Sequence, residues 1–245
     1  VRVAVRPQES DAKISVVIPT LQRSDDLEPL VKMCSEHPLV KEVLLVNNAQ
    51  TDVSFTYAKL VVLQQADNIF VNPAWNLAVR RAQAPYLAIL NDDVSFDPEL
   101  IDLACRLLAR PTVGMVGIDG SFINRPREPR LRVRIATHEH VSLGFGMAMF
   151  MRRADYVPIP ESMRIWGGDD WLFLQQRRLN RVICGARFET EVSVTSSSEE
   201  FQLLRAAEYV EIDKHLKRVA GKRWWHYPSR GLAALRALRG RLRKM

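Results

Sequence analysis

The sequence predicts an α/β fold: a mostly parallel central sheet flanked by helices, with a basic helical C-terminal tail. Three observations carry this expectation. Short apolar runs rich in Val, Ile and Leu alternate with amphipathic stretches across the first half of the chain, the pattern of buried parallel strands joined by covering helices. Hydrophobic residues make up 47% of the 245 residues, enough for a packed core. One apolar run, Tyr86-Leu87-Ala88-Ile89-Leu90, stops directly at Asn91-Asp92-Asp93. A buried strand that delivers paired carboxylates to a sheet edge marks the place where α/β proteins bind ligands.

In chain order, Ile14 to Ile18 reads as a first strand stopped by Pro19. Ser24 with Asp25 and Asp26 caps a helix to about His37. Glu42 to Val46 is a second strand ending in Asn47-Asn48, and Lys59 to Leu63 a third. Asn72-Pro73 opens a helix through about Ala82, with proline in the first turn. Pro85 to Leu90 is the fourth strand, Asp97-Pro98 caps a helix to about Ala109, and Thr112 to Ile118 is a further strand. Arg125 to Arg134 reads as an arginine-rich loop entering a strand. Gly144 to Arg152 fits a strand with a close backbone approach. Asp169 to Leu179 reads as a helix whose first turn carries both acids, and Ser198-Glu199-Glu200 starts a long helix toward Lys217. Leu232, Leu235, Leu238 and Leu242 form a loose helical stripe in an arginine-rich final segment.

The net charge of +7 is uneven. Eleven Lys and Arg and no acid follow Asp213, so residues 1–213 hold 35 − 11 = 24 bases against 28 acids. The expected division is a body at 1–213 and a basic amphipathic tail at 214–245. The three cysteines, Cys34, Cys105 and Cys184, are far apart and odd in number, which suits reduced thiols. No apolar run approaches a membrane span and no charged leader with a long apolar core opens the chain. The expected location is cytoplasmic, with the tail suited to peripheral contact at the inner membrane face.

Adjacent carboxylates are costly unless a cation or hydrogen-bond donors face them. At Asn91-Asp92-Asp93 a hard divalent metal shared with a substrate phosphate is the economical explanation. A second pair, Asp169-Asp170, follows Trp166-Gly167-Gly168. One pair to hold a metal and one to handle protons outlines a transferase site.

At this point the chain resembles family 2 glycosyltransferases of the GT-A, Rossmann-like fold. The matching segments run in the family's order over about residues 14 to 180: SVVIPTLQR from Ser15, VLLVNN from Val43, NPAWNLAVRRA from Asn72, YLAILNDDV from Tyr86, GFGMAMFMRR from Gly144 and WGGDDWLF from Trp166. The resemblance implies a metal-dependent, inverting transfer of a sugar from a nucleoside-diphosphate sugar to an acceptor hydroxyl. Thr20 and Arg23 would line the nucleotide pocket. Asn48 would stand at the base-recognition position with Asn47 beside it, and Asn76 would help position the donor. Asp93 would ligate Mn²⁺ or Mg²⁺ with Asp92 near the ribose or metal. Asp170, or failing that Asp169, would be the general base. The chain departs from the family pattern at Asn91 and Asn48, where the family usually has Asp. No His occurs in Val192 to Ser198, where the family often places a metal ligand.

Blander readings compete. Asn91-Asp92-Asp93 is also a strand-to-turn connection, Asp169-Asp170 a helix cap, and Asn76 a polar residue on an exposed helix face. Trp75 and Trp166 read as packing residues, and His138 and His140 as surface loop residues. The five Arg of residues 125–134 read equally as a solvated loop or a contact to an anionic acceptor. The tail suits an anionic membrane surface, nucleic acid phosphates or packing on the body. The expected acceptor is a glycan or lipid-linked sugar of a bacterial envelope. Modified DNA bases or a protein are an alternative acceptor, and a non-catalytic nucleotide-binding relative is an alternative of another class.

Overall fold

The structure is a computed structural model, and it describes residues 13–191, 199–227 and 231–234. Ten strands and five α-helices are found among the described residues. They are β1 (Ile14–Thr20), α1 (Leu27–Glu36), β2 (Val40–Asn47), β3 (Leu60–Gln64), α2 (Val71–Arg81), β4 (Tyr86–Leu90), β5 (Val94–Phe96) and α3 (Glu99–Leu108). There follow β6 (Val113–Ile118), β7 (Arg132–Ile135), β8 (Ala148–Arg152), α4 (Gly168–Gln175), β9 (Leu179–Cys184), β10 (Phe188–Thr190) and α5 (Glu199–Val219).

Eight strands form one sheet in the order β3-β2-β1-β4-β8-β6-β9-β7. β3, β2, β1 and β4 are parallel, as are β6 and β9, while β8 and β7 run antiparallel to their neighbours. The central strands are buried on both faces, which is why their sequences are continuous apolar runs. The pleat sends Ile14, Val16 and Ile18 toward the layer of α1 and α3, and Val17 toward the layer of α2, α4 and α5. β4 alternates likewise, with Ala88 and Leu90 on one side and Leu87 and Ile89 on the other.

Pro19 does not stop the first strand; β1 continues through it to Thr20, in register with Val46 and Asn47 of β2. Pairing of β1 with β4 ends earlier, at Val17 opposite Ile89. A proline in a central strand is tolerated here because the ladder to β4 has already opened where it sits. The expectation of strand from Gly144 is also corrected. Residues 145–147 form a 3₁₀ turn and β8 begins at Ala148. The short pair β5 and β10 was not foreseen, since three-residue strands leave no periodic signature.

α5 passes through Asp213 without a break. Beyond it Trp225 is buried, donates Nε1–H to the Gln176 carbonyl at 2.8 Å, and meets the Phe173 ring edge-on at 5.6 Å. Leu235, Leu238 and Leu242 of the expected apolar stripe lie outside the described residues. Cys34, Cys105 and Cys184 are buried free thiols. No described helix is long and apolar enough to cross a membrane.

Candidate active site

Where β1 and β4 part, their C-terminal ends frame a pocket of about 250 Å³. Thr20, Arg23 and Asn48 line it from the β1 and β2 side, Asn91, Asp92 and Asp93 from β4, and Ile165 and Trp166 from the loop before α4. This is the crevice that an open α/β sheet offers where the strand order reverses, here between β1 and β4. The two walls are tied together: Thr20 donates Oγ1–H to Asp92 Oδ2 at 2.6 Å. Thr20 also accepts the Gln22 backbone N–H at 2.7 Å, which holds the turn after β1. Burial pushes the Asp92 carboxyl up, against the opposing effects of the Thr20 hydroxyl, nearby backbone amides and the Arg23 charge.

On the far side of β2 the two asparagines divide. Asn48 lines the pocket and accepts the Ile69 amide at 3.3 Å. Asn47 is fully buried, donating to Gln64 Oε1 at 2.7 Å and the Thr51 carbonyl at 2.8 Å. Gln22, with φ of 55°, reaches across to Asn47 Oδ1 at 3.1 Å and the Thr51 carbonyl at 2.7 Å. Asn47 thus supports the wall that Asn48 presents.

Phe70 closes one side with φ of 66° and ψ of 175°, a conformation nearly confined to glycine. Arg164 stands over its ring at 5.6 Å. Next to it the buried Asn72 donates Nδ2–H to the carbonyls of Met163 at 3.0 Å and Trp166 at 3.3 Å, and its backbone N–H to Arg164 at 2.9 Å. The start of α2 therefore clasps the loop that leads into α4. Asn76, one turn further, does not line the pocket: it bonds the Ile159 carbonyl at 2.9 Å, the Ile159 amide at 3.0 Å and the Tyr156 hydroxyl at 2.8 Å. The structure places Asn72, not Asn76, beside the pocket wall.

That loop carries the second acid pair into the first turn of α4. Asp169 accepts the Asp170 amide at 3.0 Å and packs against Gly146, where a β-carbon would stand 2.5 Å from Asp169 Oδ2. Met147 in the same turn accepts the Asn91 amide at 3.0 Å, so one short segment touches both acid pairs. Burial raises the Asp169 carboxyl to about 7, the Asp170 charge adds to this, and backbone amides and His138 counter it. Asp170 is more open and pairs with His138, Nε2 to Oδ1 at 2.6 Å. His138 is thereby no idle surface residue, and nothing in a sequence separation of 32 residues signals the pair. His140, also expected at the surface, is buried, with Nδ1 accepting the Thr137 amide at 3.0 Å.

Whether these residues suit a divalent cation can be judged from Asp93. Its Oδ1 is buried and lacks a hydrogen-bond partner. Burial and the neighbouring Asp92 push this carboxyl up, the Thr190 hydroxyl and a backbone amide opposing. A buried carboxylate oxygen with no donor, beside a second acid, fits a hard cation with oxygen ligands. Among the described residues no three His, Cys, Asp or Glu gather to form a complete metal cage, so such an ion would draw further ligands from substrate or water. Val192 to Ser198 lies outside the described residues.

The sequence profile of Glycosyl transferase family 2 matches residues 15–161, more than half of the chain. The chain belongs to glycosyltransferase family 2. As a family 2 glycosyltransferase it also shares its fold with solved structures. S. aureus TarS aligns with a TM-score of 0.59 at 17% identity, covering 81% of this chain and 39% of TarS. The Pyrobaculum calidifontis mannosyltransferase PcManGT, in complex with GDP-Man and Mn²⁺, aligns with a TM-score of 0.59 at 16% identity, covering 92% of this chain and 75% of that one. TarS 1-349 in complex with UDP-GlcNAc aligns with a TM-score of 0.57 at 17% identity, over 81% of this chain and 66% of that one. The chain thus spans about two fifths of the length of that TarS chain. At these identities the likeness establishes the GT-A fold. No curated protein matches the sequence.

Proposed function

We propose that this glycosyltransferase binds a nucleoside-diphosphate sugar in the pocket between β1 and β4 and transfers the sugar, with inversion, to an acceptor hydroxyl presented from the side of α4. The observation that carries the reading is the convergence at one crevice of Thr20, Arg23, Asn48, Asp92 and an unpartnered Asp93 oxygen, with a second acid pair one short segment away. The fold relatives in complex with UDP-GlcNAc and with GDP-Man and Mn²⁺ support the donor class.

Each residue then has a task. Asn48 contacts the base and Asn47 stiffens the strand end beneath it. The Arg23 guanidinium offsets the charge of the diphosphate. Thr20 and Asp92 hold the two strand ends at fixed separation, with Asp92 toward the ribose. Asp93 would hold Mn²⁺ or Mg²⁺, an ion that would supply positive charge toward the departing diphosphate. Asp170 takes the proton of the acceptor hydroxyl as the new C–O bond forms and the sugar–phosphate bond breaks, its electron pair leaving with the diphosphate. His138 fixes the direction of the Asp170 carboxylate. Asp169 is the reserve base, because a carboxyl raised to about 7 is a better proton acceptor at neutral pH than an ordinary one.

Envelope glycans or lipid-linked sugars remain the proposed acceptors. The loop arginines favour an anionic acceptor less than their number suggests: Arg127 is paired with Asp97 and Glu99, and Arg132 with Glu128. A basic tail contacting the anionic inner membrane face would show as co-flotation of the full chain with anionic, but not neutral, vesicles.

A thermal-shift panel of nucleotide-sugars with and without Mn²⁺ tests the donor reading. A ligand held at 100 times its Kd should stabilise the native state by about 2.7 kcal/mol, and the matched donor should do so only with the metal present. If no nucleotide-sugar shifts the melting temperature, the reading falls. Donor binding without hydrolysis or transfer would favour the non-catalytic relative instead.

A further inference from the structure

Two carboxamides at the pocket have their oxygens used and their amino groups free. Asn48, just after β2, and Asn68, just before α2, both line it. One short segment joins them. The Ile69 amide donates to Asn48 Oδ1 at 3.3 Å, and the next amide, of Phe70, donates to Asn68 Oδ1 at 2.8 Å. A backbone N–H can only donate, so the side-chain atom facing it is the oxygen, and the orientation of both carboxamides is fixed. Phe70 makes its contact with φ of 66°. A non-glycine residue persists there only where its surroundings over-determine it.

Neighbouring carboxamides are spent differently. Gln22 and Asn47 give their amino groups to the Thr51 carbonyl, Gln64 to the Ala49 carbonyl and Gln65 to the Leu63 carbonyl. The amino groups of Asn48 and Asn68 donate to no protein group among the described residues. Asn48 is 6% exposed and lines the pocket, so a ligand there is the partner its donor lacks. The acids that line the same pocket belong to other elements. Asp92 and Asp93 follow β4, Glu191 follows β10, and Asp92 already accepts from Thr20. The β2 and α2 side therefore presents side-chain donors and no carboxylate.

Resting on the nucleoside-diphosphate-sugar reading, in which Asn48 contacts the base, the geometry points to Asn48 and Asn68 as readers of guanine, and so to a guanosine-diphosphate sugar as the donor. Guanine sets two acceptors, O6 and N7, side by side on the edge remote from the ribose. Adenine pairs N7 with an amino group on that edge, and uracil, like thymine, offers O4 alone there. Cytosine has neighbouring acceptors in N3 and O2, but its O2 stands beside the bond to the ribose. Two amino groups are both satisfied by guanine. The other bases leave one donor unpaired or set amino group against amino group, and an unpaired buried polar group is how a site rejects the wrong ligand.

The test is isothermal titration calorimetry of the full chain with GDP, UDP, ADP and CDP, each with Mn²⁺ present. Ribose and diphosphate are common to the four, so the ratios of Kd read the base alone. GDP should bind about 10-fold more tightly than each of the others, or better. Asn68→Asp keeps an oxygen for the Phe70 amide and puts an acceptor where the amino group was. The preference for GDP over UDP should fall about 10-fold, and Asn48→Asp should do the same. Asn68 is exposed, so its variant carries the test if Asn48→Asp does not fold. If the parent binds UDP, ADP or CDP as tightly as GDP, the guanine assignment is wrong and the nucleotide pocket stands. If GDP is preferred but the folded aspartate variants keep the parent's ratio, these two side chains are not the readers. If none of the four binds, the nucleotide-sugar reading falls as well.

Discussion

Asp169 and Asp170 are adjacent in the first turn of one helix but experience different surroundings, and their predicted behaviour differs accordingly. Asp170→Asn keeps the shape and the contact with His138 while removing the proton acceptor. Transfer should fall by about 10²- to 10⁴-fold. The thermal shift given by the nucleotide-sugar should stay as in the parent, because Asp170 does not line the donor pocket. Full transfer in that variant would move the base assignment to Asp169. Asp169 itself should make stability pH-dependent. Its carboxyl is raised from 3.8 to about 7 in the native state, so the folded protein holds this proton more tightly than the unfolded chain. Its contribution is therefore fully present below about 4 and is lost as pH rises through about 7. Melting curves of parent and Asp169→Asn should show the parent losing ground to the variant between pH 4 and pH 8. A constant difference across that range would contradict the assigned environment.

Between elements, the decisive contact is the one that aims α4. Asn72 at the start of α2 holds the 163–166 carbonyls, and Gly168 at the start of α4 lies directly against it. A β-carbon on Gly168 would meet Asn72 Oδ1 at 2.1 Å. Gly168→Ala should cost about 1–3 kcal/mol in urea denaturation, as overpacking of a closed site does. It should also reduce transfer more than a distant substitution of equal cost, since the displaced element carries both acids. Gly167, with φ of 72°, sets the turn before it. The partner that makes Gly168 necessary lies 96 residues earlier in the sequence.

For the molecule as a whole, the segment just after α5 is anchored on the body through Trp225. Trp225 fills a site between Phe173, Gln176 and its own His226, whereas its neighbour Trp224 is 64% exposed. Trp225→Ala should destabilise by about 3–5 kcal/mol, as truncation of a buried aromatic does. Trp224→Ala should stay within about 0.5 kcal/mol of the parent. Equal effects of the two in chemical denaturation would show that the segment after α5 is not docked. Adjacent tryptophans look alike in sequence; only the turn after α5 decides which one faces inward.

The sequence by itself determined the α/β class, the order of most strands and helices, and the positions of both acid pairs. These follow from local rules, because apolar periodicity, caps and the end of a buried strand are written in neighbouring residues. The division of labour within the site came only with the tertiary structure. Asn47 lies beneath Asn48, Asn72 clasps the loop before α4 while Asn76 bonds Ile159, and His138 meets Asp170. Each of these rests on which residues the sheet order and its connections bring within a few ångströms. Such contacts join segments tens of residues apart, and no periodicity in one segment encodes its distance from another.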